Sequence, residues 1–344
     1  MLVRATLFLA ALALAAPARA QLAIPQASPH ARVEQTMGLT ELGVDYNRPG
    51  VRGRQIWGEL VPFGEVWRAG ANENTVFETS TDVTVEGRPL PAGRFGFHVI
   101  PTSGSWMVIF SNVADAWGSY NYDPSEDALR VAVAPRPAPH GERLLFRFDD
   151  VTDSTATLVL HWEEVELPIR LGVDVTEVVL TNMTGELRGR AAFQWETWDQ
   201  AAAFALERRT RLEDAVAWTE RSAGVRPTFQ AAITRAAILE ALGRGGDAAQ
   251  TRRAALEMPA TDAELNRAGR RMLAAGMPAY AVAVFQRSVR DFPEAWGSHA
   301  GLAEALAAAG DRTGAAEHYR HAIELAPAAQ RAALEEALGE AGGR

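Results

Sequence analysis

From residue 32 to about 171, apolar and polar residues alternate in short runs cut by Gly, Pro, Asn and Asp. This is the pattern of antiparallel strands with one buried and one wet face. Nine runs stand out, at 32–36, 41–46, 76–80, 83–86, 95–100, 106–110, 129–133, 144–148 and 157–162. So many short strands in one stretch predict an antiparallel β-sandwich, jelly-roll-like in kind. In RFGFHVIP, Phe95, Phe97 and Val99 share a face, and in SWMVIF, Trp106, Val108 and Phe110 do. With PTSG between them, these two runs form a hairpin whose aromatic face should centre the core. GRPLPAG, 87–93, turns the chain just before it.

After Gly172 the period lengthens to 3.6 and the composition turns to Ala, Leu, Glu and Arg, which predicts an all-α region. Gly276 and Gly310, Phe285 and Tyr319, Pro293 and Pro327, and Pro259 and Pro293 are each 34 residues apart. With Leu302, Ala315 and Ala322 at the small and large packing positions, the region resembles tetratricopeptide repeats. Two or three helical hairpins plus a leading pair are expected to stack into a short solenoid, TRLEDAVAWTERSAGVRP supplying a second helix of one unit. Such arrays bind peptides or proteins on their concave face, and bracing of the sandwich is the competing role. VDVTEVVLTNMTGELRGR, with Asp174 or Thr176 as N-cap, reads as a helical linker. The expected organisation is a leader over 1–20, a sandwich over 21–172, a linker over 173–192 and helical repeats over 193–344.

The leader is expected from Arg4, the apolar run 5–16 and Ala18-Arg19-Ala20, with the mature chain starting near Gln21. No later stretch holds eighteen uninterrupted apolar residues, so the chain is expected to be exported and soluble, in the periplasm or outside the cell, without a membrane span. Cysteine is absent, which excludes disulfides, thiol nucleophiles, thiolate metal sites and a lipid-bearing cysteine. All 34 basic residues are arginines, so lysine Schiff-base chemistry is excluded. A formal charge of −9 argues against a nucleic-acid partner.

H-E-x-x-H, G-x-S-x-G and phosphate-binding glycine loops are all missing, and no cofactor or metal is expected. His318 and His321 can share a helix face, but two ligands fall short of a metal site. Polar and aromatic residues concentrate at YNRPGVRGRQIWG, FGEVWRAGANENT, His98 and WGSYNYDPSEDALR. These give a candidate pocket of Arg48, Arg54, Trp67, Arg68, Asn72, Glu73, His98, Trp117, Tyr120, Tyr122 and Asp123. Glu73 or Asp123 beside His98 can form a general acid/base pair, and Arg54 and Arg68 can clamp an anion. Trp117, Tyr120 and Tyr122 can stack on a sugar. The competing reading is a structural corner: Arg68 pairs with Glu73 beneath Trp67, Gly64 and Gly70 supply positive φ, and Asn72 closes an Asx-turn.

YNRPGVRGRQIWGELVPFGEVWRAGANENT, DVTVEGRPLPAGRFGFHVIP, WMVIFS, WGSYNYDPSEDALRV and HWEEVELPI together resemble the bacterial exported family known as domain of unknown function 2911, over Ser28 to Leu171. The resemblance implies no reaction and no catalytic residues. The expected function is ligand or protein binding and assembly, with a protein or peptide on the helical repeats and a small molecule or carbohydrate as a further ligand. The alternative is a cofactor-independent hydrolase or carbohydrate-active protein using the polar pocket.

Overall fold

The computed structural model describes residues 25–341, so the leader expected over 1–20 and the start at Gln21 lie outside the described residues. The chain divides into two compact units, the first ending at Val173 and the second beginning at Asp174. Among the described residues no helix is long and apolar enough to cross a membrane.

The first unit contains β1 (His30–Met37), β2 (Thr40–Asn47), β3 (Thr75–Thr79), β4 (Val83–Val85), β5 (Arg88–Leu90), β6 (Gly93–Ile100), β7 (Trp106–Ser111), β8 (Asp127–Val133), β9 (Arg136–Asp149) and β10 (Thr155–Gly172). They form two antiparallel sheets, six-stranded in the order β1-β2-β3-β6-β7-β8 and four-stranded in the order β5-β4-β10-β9. All nine predicted runs are strands. The predicted hairpin is β6–β7, with Phe97 paired to Phe110 and Val99 to Val108.

One core fills the space between the sheets. Phe77, Phe97 and Phe110 from the first meet Leu144, Phe146, Leu158 and Leu160 from the second. Phe97 packs edge-on against both Phe110 and Phe146, with ring centroids 5.4 and 5.6 Å away. A hydrogen bond also crosses between the sheets: the Phe146 amide donates to the Tyr46 hydroxyl at 3.1 Å. At another part of this core Trp57, Trp67, Trp106 and Trp162 cluster, Trp67 stacking on Trp162 at 5.7 Å.

The second unit contains α1 (Val175–Glu186), α2 (Trp195–Arg208), α3 (Leu212–Val225), α4 (Phe229–Ala241), α5 (Gly245–Leu256), α6 (Asp262–Ala274), α7 (Pro278–Asp291), α8 (Trp296–Ala308), α9 (Arg312–Leu325) and α10 (Ala328–Ala341). Asp174 caps α1, accepting from the Glu177 amide. Four helical hairpins follow, α2/α3, α4/α5, α6/α7 and α8/α9, with α10 packed on α9. The first helices of successive hairpins also touch, α2 on α4, α4 on α6 and α6 on α8. Phe285 is fully buried on α7 between Gly269 and Gly301, where a Cβ would come within 2.4 and 2.1 Å of its ring. Only glycine at both positions lets α6 and α8 close on that ring. One junction departs from the series: α3 lies along α4 and α7 along α8, but α5 makes little contact with α6.

Candidate functional site

Trp67 occupies the place beside β6 where β3 has ended. Its amide donates to the Val99 carbonyl at 2.9 Å and its carbonyl accepts from Val99 at 2.8 Å. The indole then turns into the tryptophan cluster, so Trp67 is a core residue. The chain leaves it through a tight bend in which Ala69 and Asn72, at φ 48° and 60°, take the left-handed conformation. Gly64 has positive φ as expected, but Gly70 is needed for space: a Cβ there would lie 2.7 Å from Thr75 Oγ1. Asn72 reaches to Gln26 and to the Ser28 carbonyl with its amide instead of closing an Asx-turn.

The Arg68–Glu73 pair of the structural-corner reading does not form. Arg68 donates through Nη1 to the Asn72 carbonyl, and exposed Glu73 accepts from Asn47 at 3.1 Å. Glu73→Ala is therefore expected to change stability by less than about 0.5 kcal/mol, and Arg68→Ala by about 1–2 kcal/mol through its hydrogen bond and stacking. Denaturant unfolding of the two variants beside the parent measures both; a loss of several kcal/mol for Glu73→Ala would restore the ion pair.

On β6, Phe95, Phe97 and Val99 face the core, so Arg94, Gly96 and His98 face outward. His98 is nonetheless only 3 % exposed, because the loop 112–123 between β7 and β8 roofs this face. Three anchors hold the roof. Asn112 bonds to the Glu126 carbonyl through its backbone amide (2.9 Å) and its side chain (3.0 Å). The Asn74 side chain donates to the Ala114 carbonyl at 3.3 Å and its backbone amide to the Ala116 carbonyl at 3.2 Å. Tyr122 donates to Asp127 at 2.6 Å and accepts from Arg130 at 3.0 Å. Burial, with the Asp127 carboxylate beside it, pushes the Tyr122 hydroxyl up to about 12.

Beneath the roof His98 Nδ1 lies 3.0 Å from Ser119 Oγ and the Tyr122 ring is 5.5 Å away. A cavity of about 20 Å³ lined by Asn74, His98, Ser111 and Tyr122 has room for one water. Burial, and then the Arg68 guanidinium, push the imidazole down to about 4. The unfolded chain takes up the His98 proton near pH 6.5 and the folded chain only near 4. Stability from this group is complete above about pH 6.5 and is lost as the pH falls towards 4. His98→Gln is expected to flatten that part of the profile, which acid unfolding of parent and variant compares.

The structure brings together Arg68, His98, Tyr120 and Tyr122. The Arg68 guanidinium lies 5.3 Å from the centre of the Tyr120 ring. It also runs against Gly118, where a Cβ would sit 2.5 Å from Nη1. Trp117 and Tyr120 stand on the roof 62 % and 77 % exposed. Asn72 meets the group only through its carbonyl, which accepts from Arg68, and Arg48, Arg54, Glu73 and Asp123 do not join it. Arg48 donates to the Leu144 carbonyl at 2.8 Å, and Arg54 to the Gly50 and Val51 carbonyls at 2.6 and 3.0 Å. Asp123 caps a short 3-10 turn by accepting from the Ser125 amide, which holds its carboxyl below the usual range. Neither Glu73 nor Asp123 hydrogen-bonds His98. Ser119 and Asn74 carry no signal in the sequence, because nothing local marks a loop serine or asparagine that meets a strand from far along the chain.

A wider groove of about 570 Å³ crosses the outer face of β1, β2, β3 and β6. Its guanidinium groups are already paired, Arg32 and Arg94 both on Glu78 at 2.6–2.7 Å, and no predicted site residue lines it.

The extent of the sandwich coincides with a family match. Residues 28–171 match the family described as protein of unknown function (DUF2911). The DUF2911 region holds every member of the candidate site and none of the helical repeats. Comparison with the curated proteins finds no match. Among solved structures, the C-terminal region is similar to MamA (residues 41 to the end) from Desulfovibrio magneticus RS-1. That likeness has 20% identity over 44% of this chain and 86% of that one, with a TM-score of 0.27. It is also similar to YrrB, described as a TPR protein with an unusual peptide-binding site, at 15% identity over 47% and 84% of the two chains and a TM-score of 0.26. Both likenesses are distant, and the helical architecture rests on the packing described above.

Proposed function

We propose that this chain is a binding and assembly protein of the cell envelope. In this reading the DUF2911 region holds a ring-bearing ligand, a sugar or a planar group, and the helical hairpins engage a protein or peptide partner. The observation that carries the ligand site is the pair Trp117 and Tyr120, exposed on a loop with three anchors and with Arg68 against the Tyr120 ring. Large aromatics held out in water cost free energy unless they meet a partner, and stacking is what such rings offer. The N-terminal apolar run with Ala18-Arg19-Ala20 supports the envelope location.

The hydrolase alternative has one supporting contact, Ser119 Oγ on His98 Nδ1. A histidine acting as general base must become imidazolium in the transition state, and a carboxylate normally stabilises it there. Here the charge acting on the ring is cationic Arg68, which opposes protonation. A base with pKa near 4 drives proton abstraction poorly at neutral pH. The site therefore favours binding over hydrolysis.

An oligosaccharide array probed with the full chain and with a Trp117→Ala/Tyr120→Ala double variant tests the ligand site. The parent is expected to retain at least one glycan class and the variant to lose at least tenfold in affinity, about 1.4 kcal/mol. Equal retention by the two proteins would remove the aromatic platform from the account.

A further inference from the structure

Three of the seven histidines of the chain meet in the last helical hairpin. His299 stands on α8, and His318 and His321 lie three apart on one face of α9. Their ring centroids are separated by 5.4, 5.5 and 6.4 Å. His299 Nδ1 is 3.1 Å from His318 Nδ1. Three bases gathered this closely repel one another when protonated; burial, then His299 and His321, hold His318 below the ordinary histidine range. They have one shared property, three nitrogen lone pairs.

The outer contacts fix where one of these lone pairs points. His299 Nε2 lies 3.0 Å from the Pro293 carbonyl oxygen. A carbonyl only accepts, so Nε2 carries the proton and Nδ1 presents its lone pair towards His318. This is the carbonyl–imidazole arrangement that orients metal-binding histidines. A tetrahedral Zn²⁺ with nitrogens at about 2.0–2.1 Å sets the donor atoms about 3.3 Å apart and the ring centroids about 5 Å apart. The 3.1 Å between His299 Nδ1 and His318 Nδ1 suits that geometry, and the ring centroids, 5.4 to 6.4 Å apart, stand somewhat wider than it.

We propose that His299, His318 and His321 form a three-histidine site for a borderline divalent transition ion such as Zn²⁺, clamping α8 to α9 and leaving one coordination position open to solvent. Neutral imidazoles suit such an ion and not Mg²⁺ or Ca²⁺, which take oxygen ligands. Among the described residues no three His, Asp or Glu side chains are arranged to hold a metal ion as they stand, so occupancy requires two changes. His318 moves its proton from Nδ1 to Nε2 by exchange with solvent, and His321, with its side chain 61 % exposed, turns its ring inward. Glu324 Oε2 lies 3.8 Å from His321 Nδ1.

Titrating the full chain with Co²⁺ reads both stoichiometry and geometry, because tetrahedral Co²⁺ absorbs far more strongly in the visible than octahedral Co²⁺. Zn²⁺ calorimetry then gives affinity. The expected result is one ion per chain at micromolar concentration, intense visible bands displaced by Zn²⁺, and at least a tenfold loss in H318Q and in H321Q. His321 is exposed, so its substitution leaves folding intact and keeps the test sound even if His299 variants misfold. H140Q, altering a surface histidine of the first unit, is expected to bind as the parent does. No stoichiometric binding, binding unchanged in both H318Q and H321Q, or an equal loss in H140Q would each overturn the site.

Discussion

Asp199→Ala is expected to cost the helical unit about 3–5 kcal/mol, the range for breaking one side of a buried ion pair. Asp199 on α2 is fully buried. One of its oxygens accepts from Arg271 on α6 and from Gln230 on α4, the latter at 2.8 Å. Arg271 also donates to Thr234 at 3.2 Å. Removing the carboxylate strands a guanidinium that is only 16 % exposed and leaves Gln230 without its acceptor. The loss should therefore exceed that of a neutral hydrogen bond, about 1 kcal/mol. Replacing both charges with apolar residues of similar size, Asp199→Leu with Arg271→Met, is expected to recover most of it, since desolvation of the pair offsets much of its attraction. Denaturant unfolding followed by helical circular dichroism compares the three proteins. A cost below about 1 kcal/mol for the single variant would mean that water reaches the pair.

Gly96→Ala is expected to destabilise the sandwich by about 2–3 kcal/mol and to unseat the roof over His98. A Cβ at position 96 would lie 2.5 Å from the Val113 carbonyl oxygen, a backbone atom with nowhere to retreat, and 3.2 Å from both Asn74 Nδ2 and His98 Nε2. Relief comes only from lifting the loop, which breaks the Asn74 anchor. Gly104→Ala, at the tip of the β6–β7 hairpin, is the matched control. Its Cβ would meet only Thr102 Oγ1, at 3.9 Å, so a change within about 0.5 kcal/mol is expected. Chymotrypsin, which cuts after Trp and Tyr, should cleave within 112–123 faster in Gly96→Ala than in the parent or the control. Equal cleavage rates would show that the loop does not depend on the close approach at Gly96.

The strands were legible because a sheet with one wet face imposes alternation on the sequence, and the helices because the repeat carries its own ruler. What escaped had local reasons. β5 has Pro89 at its centre and reads as a turn, yet it lies at the edge of the four-stranded sheet, where a missing amide hydrogen costs little. β10 runs ten residues beyond the predicted 162, because the register shifts around Glu163, at φ 55°, interrupt the alternation that marks a strand. The site was half legible. Arg68, His98, Tyr120 and Tyr122 converge, whereas Arg48 and Arg54 satisfy backbone carbonyls, a use of arginine that composition does not distinguish from anion binding. His299 did leave a signal. It precedes the Gly310 turn by as many residues as His321 follows it, and positions equidistant from the turn of an antiparallel hairpin face each other.

The sparse junction between α5 and α6 governs how the second unit comes apart. In a linear stack each repeat draws stability from its neighbours, so partial opening begins where neighbours touch least. α6 to α10 are then expected to open as one foldon and α1 to α5 as another, joined across the junction by α4 on α6, by Tyr280 of α7 donating to the Ala236 carbonyl of α4 under Arg252 of α5, and by the reach of Arg271 to Asp199. Amide protons of the last two hairpins should exchange through openings that leave α2 to α4 closed. A partner that bridged the junction would merge the two exchange regimes into one.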